Sequence, residues 1–272
     1  MKLLKGILLL ILLAIIATGA SFVWAYKIEP NRLVVREKTM RAAVSEPVKV
    51  VFWTDLHLGM WYPQEKLVQV VEKINAQQPD LVIFGGDFFD HYAEDQAQLS
   101  LEEITAQLQK IEAPLGKYAV WGNHDYGGGS HEVYPQVMEA GGFTLLKNEQ
   151  VELKDQNLRL YGLDDPLWGN AVQGDFSGNM VDILITHEPD IVDQLKMDGV
   201  EFAMAGHSHG GQVRLPVLTE QVLPPGGRTY VRGWYDVENS QLLVSGGIGM
   251  TKLPLRFGCT PEICAVEILP LD

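Results

Sequence analysis

The chain opens on an uncharged apolar run. From Gly6 to Tyr26 there are 21 residues, rich in Leu, Ile and Ala. At about 1.5 Å per residue, a helix of that length crosses a hydrocarbon core of about 30 Å. Residues 27–47 are mixed and polar and are expected as a linker or a first edge strand. After Pro47 a rhythm of strand, loop and helix sets in. Val48–Thr54 is β-branched and aromatic, which predicts a buried strand. Within Gln64–Gln77 the apolar positions 67, 68, 70, 71 and 74 repeat at helical spacing until Pro79. Leu81–Phe84 predicts a strand, Leu99–Ile111 a helix, Lys117–Trp121 a strand and Glu132–Ala140 a helix. Val151–Leu153 and Leu158–Leu163 predict a hairpin. Val181–Thr186 and Glu201–Ala205 predict strands around a helix at Asp190–Lys196. Beyond Gly206 the pattern is all strand: Val213–Leu215, Thr229–Tyr235, Leu242–Ser245 and Ile263–Ile268. The fold expected is an α/β core with a β-rich last third.

Composition sharpens this picture. Hydrophobic residues make up 46% and charged residues 21%, enough apolar surface for a packed core. Three segments follow: an apolar segment at 1–26, the linker or edge strand at 27–47, and a folded domain at 48–272. The formal net charge is −14; the first 26 residues carry only Lys2 and Lys5, leaving 19 basic against 35 acidic residues, a net of −16. So acidic a surface repels polyanions, and no nucleic-acid partner is expected. The two cysteines, Cys259 and Cys264, form no Cys-x-x-Cys pair, so a thiolate zinc site is excluded. A disulfide between them is one reading; two buried small hydrophobes is the one favoured.

The apolar run has two readings, a membrane anchor and a cleaved signal peptide. Thr18-Gly19-Ala20 is a passable cleavage site, but the apolar run continues through Phe22, Val23 and Trp24. Trp24 and Tyr26 suit an interfacial aromatic belt, and a single-pass anchor in the cell membrane is the expectation. Lys2 and Lys5 favour a domain outside the cytoplasm, whereas Lys27, Arg32, Arg36, Lys38 and Arg41 pull the other way. An extracytoplasmic domain is expected.

The chemistry-bearing residues gather where predicted strands end. Asp55-Leu56-His57 follows the first, Gly86-Asp87 the second and Gly122-Asn123-His124-Asp125 the third. His187 follows Thr186, and Gly206-His207-Ser208-His209 follows Ala205. Five of the seven histidines lie in these loops. In an open α/β sheet the C-terminal strand ends share one edge, where ligands bind. Taken singly, an Asp-x-His is more often a loop with a helix cap, and Asn-His-Asp more often a turn. Five such loops, each directly after an apolar run, point to one site. Carboxylate, imidazole and amide donors without thiolate suit Mn, Fe or Zn. Two ions about 3.5–4 Å apart need a shared anionic bridge. A Ser-His-Asp hydrolase is not expected, nor is a P-loop enzyme, whose Gly-x-x-x-x-Gly-Lys-Ser/Thr is absent.

The series D-x-H, GD, GNHD, a lone H after a strand, and GHSH resembles the calcineurin-like metallophosphoesterase superfamily, over Val48 to Ile268. Gly210–Pro216, Leu253–Gly258 and Pro261-Glu262-Ile263 resemble its bacterial membrane-anchored branch. Ser208 stands where many members carry Thr. The resemblance implies two stacked mixed β-sheets flanked by helices, a four-layer sandwich, here preceded by one transmembrane helix. It implies two divalent metal ions and hydrolysis of a phosphodiester or phosphomonoester by a metal-activated water. Asp55, His57 and His209 would hold one ion, Asn123, His187 and His207 the other, and Asp87 would bridge them. His124 would donate a proton to the leaving oxygen, with Asp125 orienting its ring. Asp90 and His91, just beyond, are expected on the surface or behind the ligands.

Some relatives in the resembled branch act on lipid precursors, and the anchor holds the domain near a bilayer. A lipid-linked phosphoester is therefore the substrate expected. Met60, Trp61 and Tyr62 are candidates for an apolar lip beside the first metal, and Arg256 for a phosphate contact through its guanidinium. The alternative, a membrane-tethered binding module on the same fold, would have lost ligands. The mature protein is expected to keep residues 1–26; mass spectrometry finding a mature N-terminus near Ser21 would contradict the anchor.

Overall fold

A computed structural model describes residues 2–176, 178–215 and 219–272; Met1 and Pro216, which closes the Gly210–Pro216 string, lie outside the described residues. Twelve strands follow in chain order: β1 Val34–Ala42, β2 Val48–Trp53, β3 Leu81–Phe84, β4 Lys117–Ala119, β5 Thr144–Leu145 and β6 Glu149–Leu153. Then come β7 Leu158–Gly162, β8 Val181–Ile185, β9 Val200–Ala205, β10 Gly233–Val237, β11 Ser240–Val244 and β12 Glu262–Pro270. They form two six-stranded sheets, ordered β1-β12-β2-β3-β4-β5 and β10-β11-β9-β8-β7-β6. Within each, the central strands run parallel: β2 to β5 in the first, β7, β8, β9 and β11 in the second.

Alternation along each strand builds the layers. Val48, Val50 and Phe52 of β2 point between the sheets, as do Leu81 and Ile83 of β3. They meet Leu158, Leu160, Ile183, Ile185, Phe202 and Met204 of the second sheet. The intervening Val51, Trp53, Val82 and Phe84 face the other way, against the helices Leu67–Asn75, Leu101–Leu108 and Val133–Ala140. Leu184, Ala203 and Ala205 do the same on the far side of the second sheet. Period-two burial on both faces is what a sheet covered on both sides requires. The four-layer α/β sandwich expected from the resemblance is the fold.

Several elements differ from expectation. Residues 27–47 are no linker: Val34–Ala42 is the edge strand β1, paired in parallel with β12 over nine residues. It carries Arg36, Glu37, Lys38 and Arg41, as suits an edge strand that meets water. The helix expected at Asp190–Lys196 is a 3-10 turn, Pro189–Gln194, started by Pro189. Val213–Leu215 supplies only an isolated bridge, Val213 to Phe257. The predicted hairpin is present as β6 and β7, antiparallel. The N-terminal run is helical over Lys2–Val23, with no buried residue, and is long and apolar enough to cross a membrane.

One buried side chain ties the loops after β11 together. Arg256 is fully buried. Its guanidinium donates to the carbonyls of Gly249 (Nε 2.9 Å, Nη2 2.6 Å), Gly246 (3.0 Å) and Cys259 (3.1 Å). Burial lowers its pKa, the cation being costly there, and the carbonyls offset that cost. Arg256→Met should therefore destabilise the fold by roughly 3 kcal/mol or more, since each stranded buried carbonyl costs about 1–3 kcal/mol. Urea unfolding measures this. Unchanged stability with a raised KM would instead restore Arg256 as a substrate contact.

Candidate metal centre

The site is assembled at the C-terminal ends of five strands. Asp55 and His57 leave β2, Asp87 leaves β3, Asn123 and His124 follow β4, His187 follows β8, and His207 and His209 follow β9. Two sheets thus contribute to one edge, and the strands point their loops at each other there. The backbone is bent to make this possible. Asp55, His57, Asp87, His207 and His209 all have positive φ, between 47° and 65°. For residues with a Cβ this is strained, at roughly 1–3 kcal/mol each, and such strain collects at functional sites. Gly86 shows how tight the packing is: at φ 94°, a Cβ there would lie 2.7 Å from Gly122 N and 2.8 Å from His187 Nδ1.

The donor atoms converge on Asp87. Its Oδ2 lies 3.4 Å from His57 Nε2 and 3.0 Å from His187 Nε2. Asp55 Oδ1 lies 3.4 Å from His209 Nε2, and His57 and His209 face each other Nε2 to Nε2 at 3.0 Å. Asp55, His57 and His209 form one group able to hold a cation; Asp87, His187 and His207 form a second. Asn123 Oδ1 and His187 Nε2 are buried without any hydrogen-bond partner. Two ring nitrogens at 3.0 Å and two orphaned polar atoms, all aimed inward, fit bound cations, which would occupy the lone pairs.

Backbone and side-chain acceptors fix which ring nitrogen faces inward. His57 Nδ1 lies 3.2 Å from Asp90 Oδ1, and His187 Nδ1 lies 2.7 Å from the Gly85 carbonyl, leaving Nε2 free in each. His207 is the reverse: its Nε2 bonds the Pro225 carbonyl at 2.8 Å, leaving Nδ1. Such outer contacts set tautomer and ring orientation.

The charges are arranged to match. Burial opposes the charge on Asp87, but His187, His124 and His57 outweigh it and hold its carboxyl well below the usual range. His187 is raised well above its usual value, burial being overcome by Asp87. His209 is pushed well down by burial and by His57 and Arg256; burial pulls His207 down to about 4. His207 and His209 are thus held neutral with the free lone pairs that cation ligation needs, whereas His187 would give up to a bound cation the proton that Asp87 draws onto it.

Other expected residues fall elsewhere. Asp125 does not orient His124. Its carboxylate accepts three backbone N–H groups, from Asp87 (2.8 Å), Phe88 (2.9 Å) and Gly122 (2.9 Å), and so clamps the β3 and β4 loops together. Burial and the charge of Asp87 push its pKa up to about 8 against those donors. His124 is oriented by Asp90 instead: its Nδ1 lies 2.7 Å from the Asp90 carbonyl and 3.6 Å from Asp90 Oδ1. His91 is half-exposed, 3.9 Å from Glu94. Arg256 spends its guanidinium on carbonyls, and only Nη2 approaches the cluster, 3.5 Å from His209 Nδ1. It is a staple behind the site and not a phosphate contact.

The lip expected at Met60, Trp61 and Tyr62 is not there. Tyr62 is buried in the core beside the helices, and none of the three lines the cavity at the metal ligands. That cavity, about 680 Å³, has Asp87, Asn123, His124, His207 and His209 on its floor. Its apolar walls come from Leu167, Trp168, Leu215, Val222, Leu253 and Leu255. Sequence reasoning missed them because they come from three separated loops without periodicity; the string Leu253-Pro254-Leu255 was their one local signal. The cysteines are free and buried, the reading favoured above. Finally, Gly206-His207-Ser208-His209-Gly210 fits the Gly-x-Ser-x-Gly spacing of a serine nucleophile. Ser208 is buried, however, and donates its hydroxyl to the Val231 carbonyl at 2.6 Å, so it is no nucleophile.

Residues 48–211 match the sequence profile of the calcineurin-like phosphoesterases. The Bacillus subtilis metallophosphoesterase YkuE is 34% identical over 96% of this chain and 94% of its own length. The Escherichia coli phosphodiesterase YaeI is 25% identical over 94% of this chain and 96% of its own. UDP-2,3-diacylglucosamine pyrophosphatase LpxG of Chlamydia muridarum is 27% identical, over 95% and 96%. The loss of donors that a tethered binding module would show is not seen among Asp55, His57, His209, Asp87, His187 and His207, which stand in two groups able to hold a cation. With the profile spanning most of both sheets, the chain belongs to the calcineurin-like phosphoesterase family and is a metallophosphoesterase, a hydrolase acting on phosphoric ester bonds.

Proposed function

We propose that the chain hydrolyses a lipid-linked phosphoester at a dinuclear metal centre. Asp55, His57 and His209 hold one ion, Asn123, His187 and His207 hold the other, and Asp87 is shared. The observation that carries this reading is the position of Asp87 Oδ2, within 3.4 Å of His57 and 3.0 Å of His187, one from each group. When bound, two divalent ions of the Mn, Fe or Zn kind supply Lewis acidity, neutralise phosphoryl charge and acidify a water for in-line attack.

The chain's own residues do the rest. His124 lines the cavity at one quarter exposure, its Nδ1 committed to the Asp90 carbonyl. Because Nδ1–H already donates to that carbonyl, it is the doubly protonated ring that carries an Nε2 proton free to move to the leaving oxygen. Asp125 holds the backbone of Asp87, and the Asp87 carboxylate in turn accepts the His124 N–H at 2.8 Å. Bridge and acid are thereby locked to one loop pair, which keeps their spacing fixed. The apolar walls supply the surface for an acyl group, and one relative is named for a diacylglucosamine substrate. The N-terminal helix, long and apolar enough to cross a membrane, supports an anchor, and Lys2 and Lys5 before it favour a domain outside the cytoplasm.

Asp87→Asn should abolish turnover and lower metal content, because it removes a charge both ions share. Metal analysis paired with hydrolysis of bis(p-nitrophenyl) phosphate and p-nitrophenyl phosphate tests this; full activity with two ions retained would end the dinuclear reading. His124→Ala should keep its metals and lose about 10²–10⁴-fold in turnover. The loss should shrink for nitrophenyl esters, whose leaving groups need less protonation. Loss of metal in proportion to activity would make His124 a ligand instead.

A further inference from the structure

The end of the apolar helix is not loosely strung to the catalytic unit. Trp24–Ile28 and Glu29–Asn31 continue its helical path, and Ala25, Glu29 and Pro30 are buried. The Ala25 carbonyl accepts the Arg256 backbone N–H at 3.0 Å. The Glu29 carboxylate accepts from Gly258 N at 3.0 Å, Thr260 Oγ1 at 3.4 Å and Trp24 Nε1 at 2.8 Å. A buried carboxylate with three donors drawn from both sides of a contact makes a stiff joint, because loosening it strands the charge.

That joint lies next to the cavity. Leu253 and Leu255, which line it, immediately precede Arg256. Gln212 Nε2 donates to the carbonyls of Thr251 and Leu253, both at 3.0 Å, binding this wall to the His209 loop. Exposed apolar side chains are scattered at Met60, Val68, Val172 and Leu271, but two sets stand near the joint and the cavity, where Leu167 and Trp168 are exposed as well. Trp24, Tyr26 and Ile28 lie at the helix end, and Leu215, Val222 and Leu253 lie on the cavity rim, with Val222 62% and Leu253 55% exposed. Monomeric soluble domains rarely leave so many large apolar groups together without a use for them. The −16 charge of the chain beyond residue 26 makes attraction to anionic headgroups a poor explanation, so the contact must be apolar.

We propose that the Glu29 joint is a positioning device. It holds the catalytic unit at a fixed attitude, with the rim at Leu215, Val222 and Leu253 dipped into the bilayer that the helix spans. A lipid phosphoester then passes from the membrane into the cavity with its acyl chains along that rim and its phosphate toward Asp87. This rests on the anchor and the ester site proposed above, and adds the face through which substrate arrives. The rim is an interfacial insertion surface in addition to a pocket wall.

The test uses the full chain reconstituted in phosphatidylcholine vesicles. Val222→Cys carries an environment-sensitive fluorophore, and so, separately, does Lys154→Cys. Cys259 and Cys264 are buried and escape labelling. Lys154 is 79% exposed and lies in the turn between β6 and β7, at the strand ends opposite the metal ligands. Nitroxide-bearing acyl chains should quench the label at 222 and spare the label at 154. Glu29→Gln in the Val222→Cys background should reduce that quenching, while Glu29→Gln alone leaves hydrolysis of soluble bis(p-nitrophenyl) phosphate unchanged. Equal, weak quenching at 222 and 154, in vesicles where unsubstituted protein hydrolyses the soluble ester, overturns the inference alone. Quenching at 222 without any hydrolysis by unsubstituted, metal-loaded protein overturns the ester site and leaves the docking face standing.

Discussion

The buried carboxylate of Asp87 is the group on which the rest of the site turns. It sits in an interior that opposes its charge, and His187, His124 and His57 outweigh that opposition. Its two oxygens divide the work: Oδ2 faces the imidazoles of both clusters, and Oδ1 takes the backbone N–H of His124. Its own N–H goes to Asp125. A carboxylate so engaged cannot move without disturbing both loops, and the left-handed backbone at five ligand positions is the strain accepted to keep it there. The sandwich makes this possible because two sheets, packed through Phe52, Ile83, Ile183 and Met204, bring five strand ends to one edge.

The layer behind the candidate ligands does as much as those residues themselves. Carbonyls of Gly85, Asp90 and Pro225 select the ring nitrogen that faces inward at His187, His124 and His207. Arg256 ties three carbonyls behind His209 and also meets the end of the apolar helix through its own backbone. Structural rigidity and the candidate metal site therefore share residues, and a stability defect at Arg256 would also reach His209.

What the sequence disclosed and what it hid follow a physical line. The motifs that meet at the candidate site were legible because each is short, follows an apolar run and uses residue types that turns alone do not require. The parallel core strands were legible as apolar runs. Strand β1 was left open as linker or strand because its sequence, Val34–Ala42, carries charge at several positions and its partner is the distant β12. Side-chain direction was hidden: Tyr62 turns into the core and Arg256 turns to carbonyls, though both have residue types suited to a substrate. The role of Asp125 was misjudged because adjacency in sequence to His124 is not contact. The cavity walls come from loops near residues 167, 215 and 253, which no local pattern connects.

The place of β12 has a consequence for how the molecule is made. It lies between β1 and β2, parallel to one and antiparallel to the other, yet it is the last of the strands to be synthesised. Until it arrives, β2 pairs with β3 on one side and is open on the other, and β1 has nothing to pair with. An open strand edge is a template for pairing with other chains. The nascent chain must therefore carry this vulnerable edge through synthesis of every other element, and with it the loop holding Asp55 and His57.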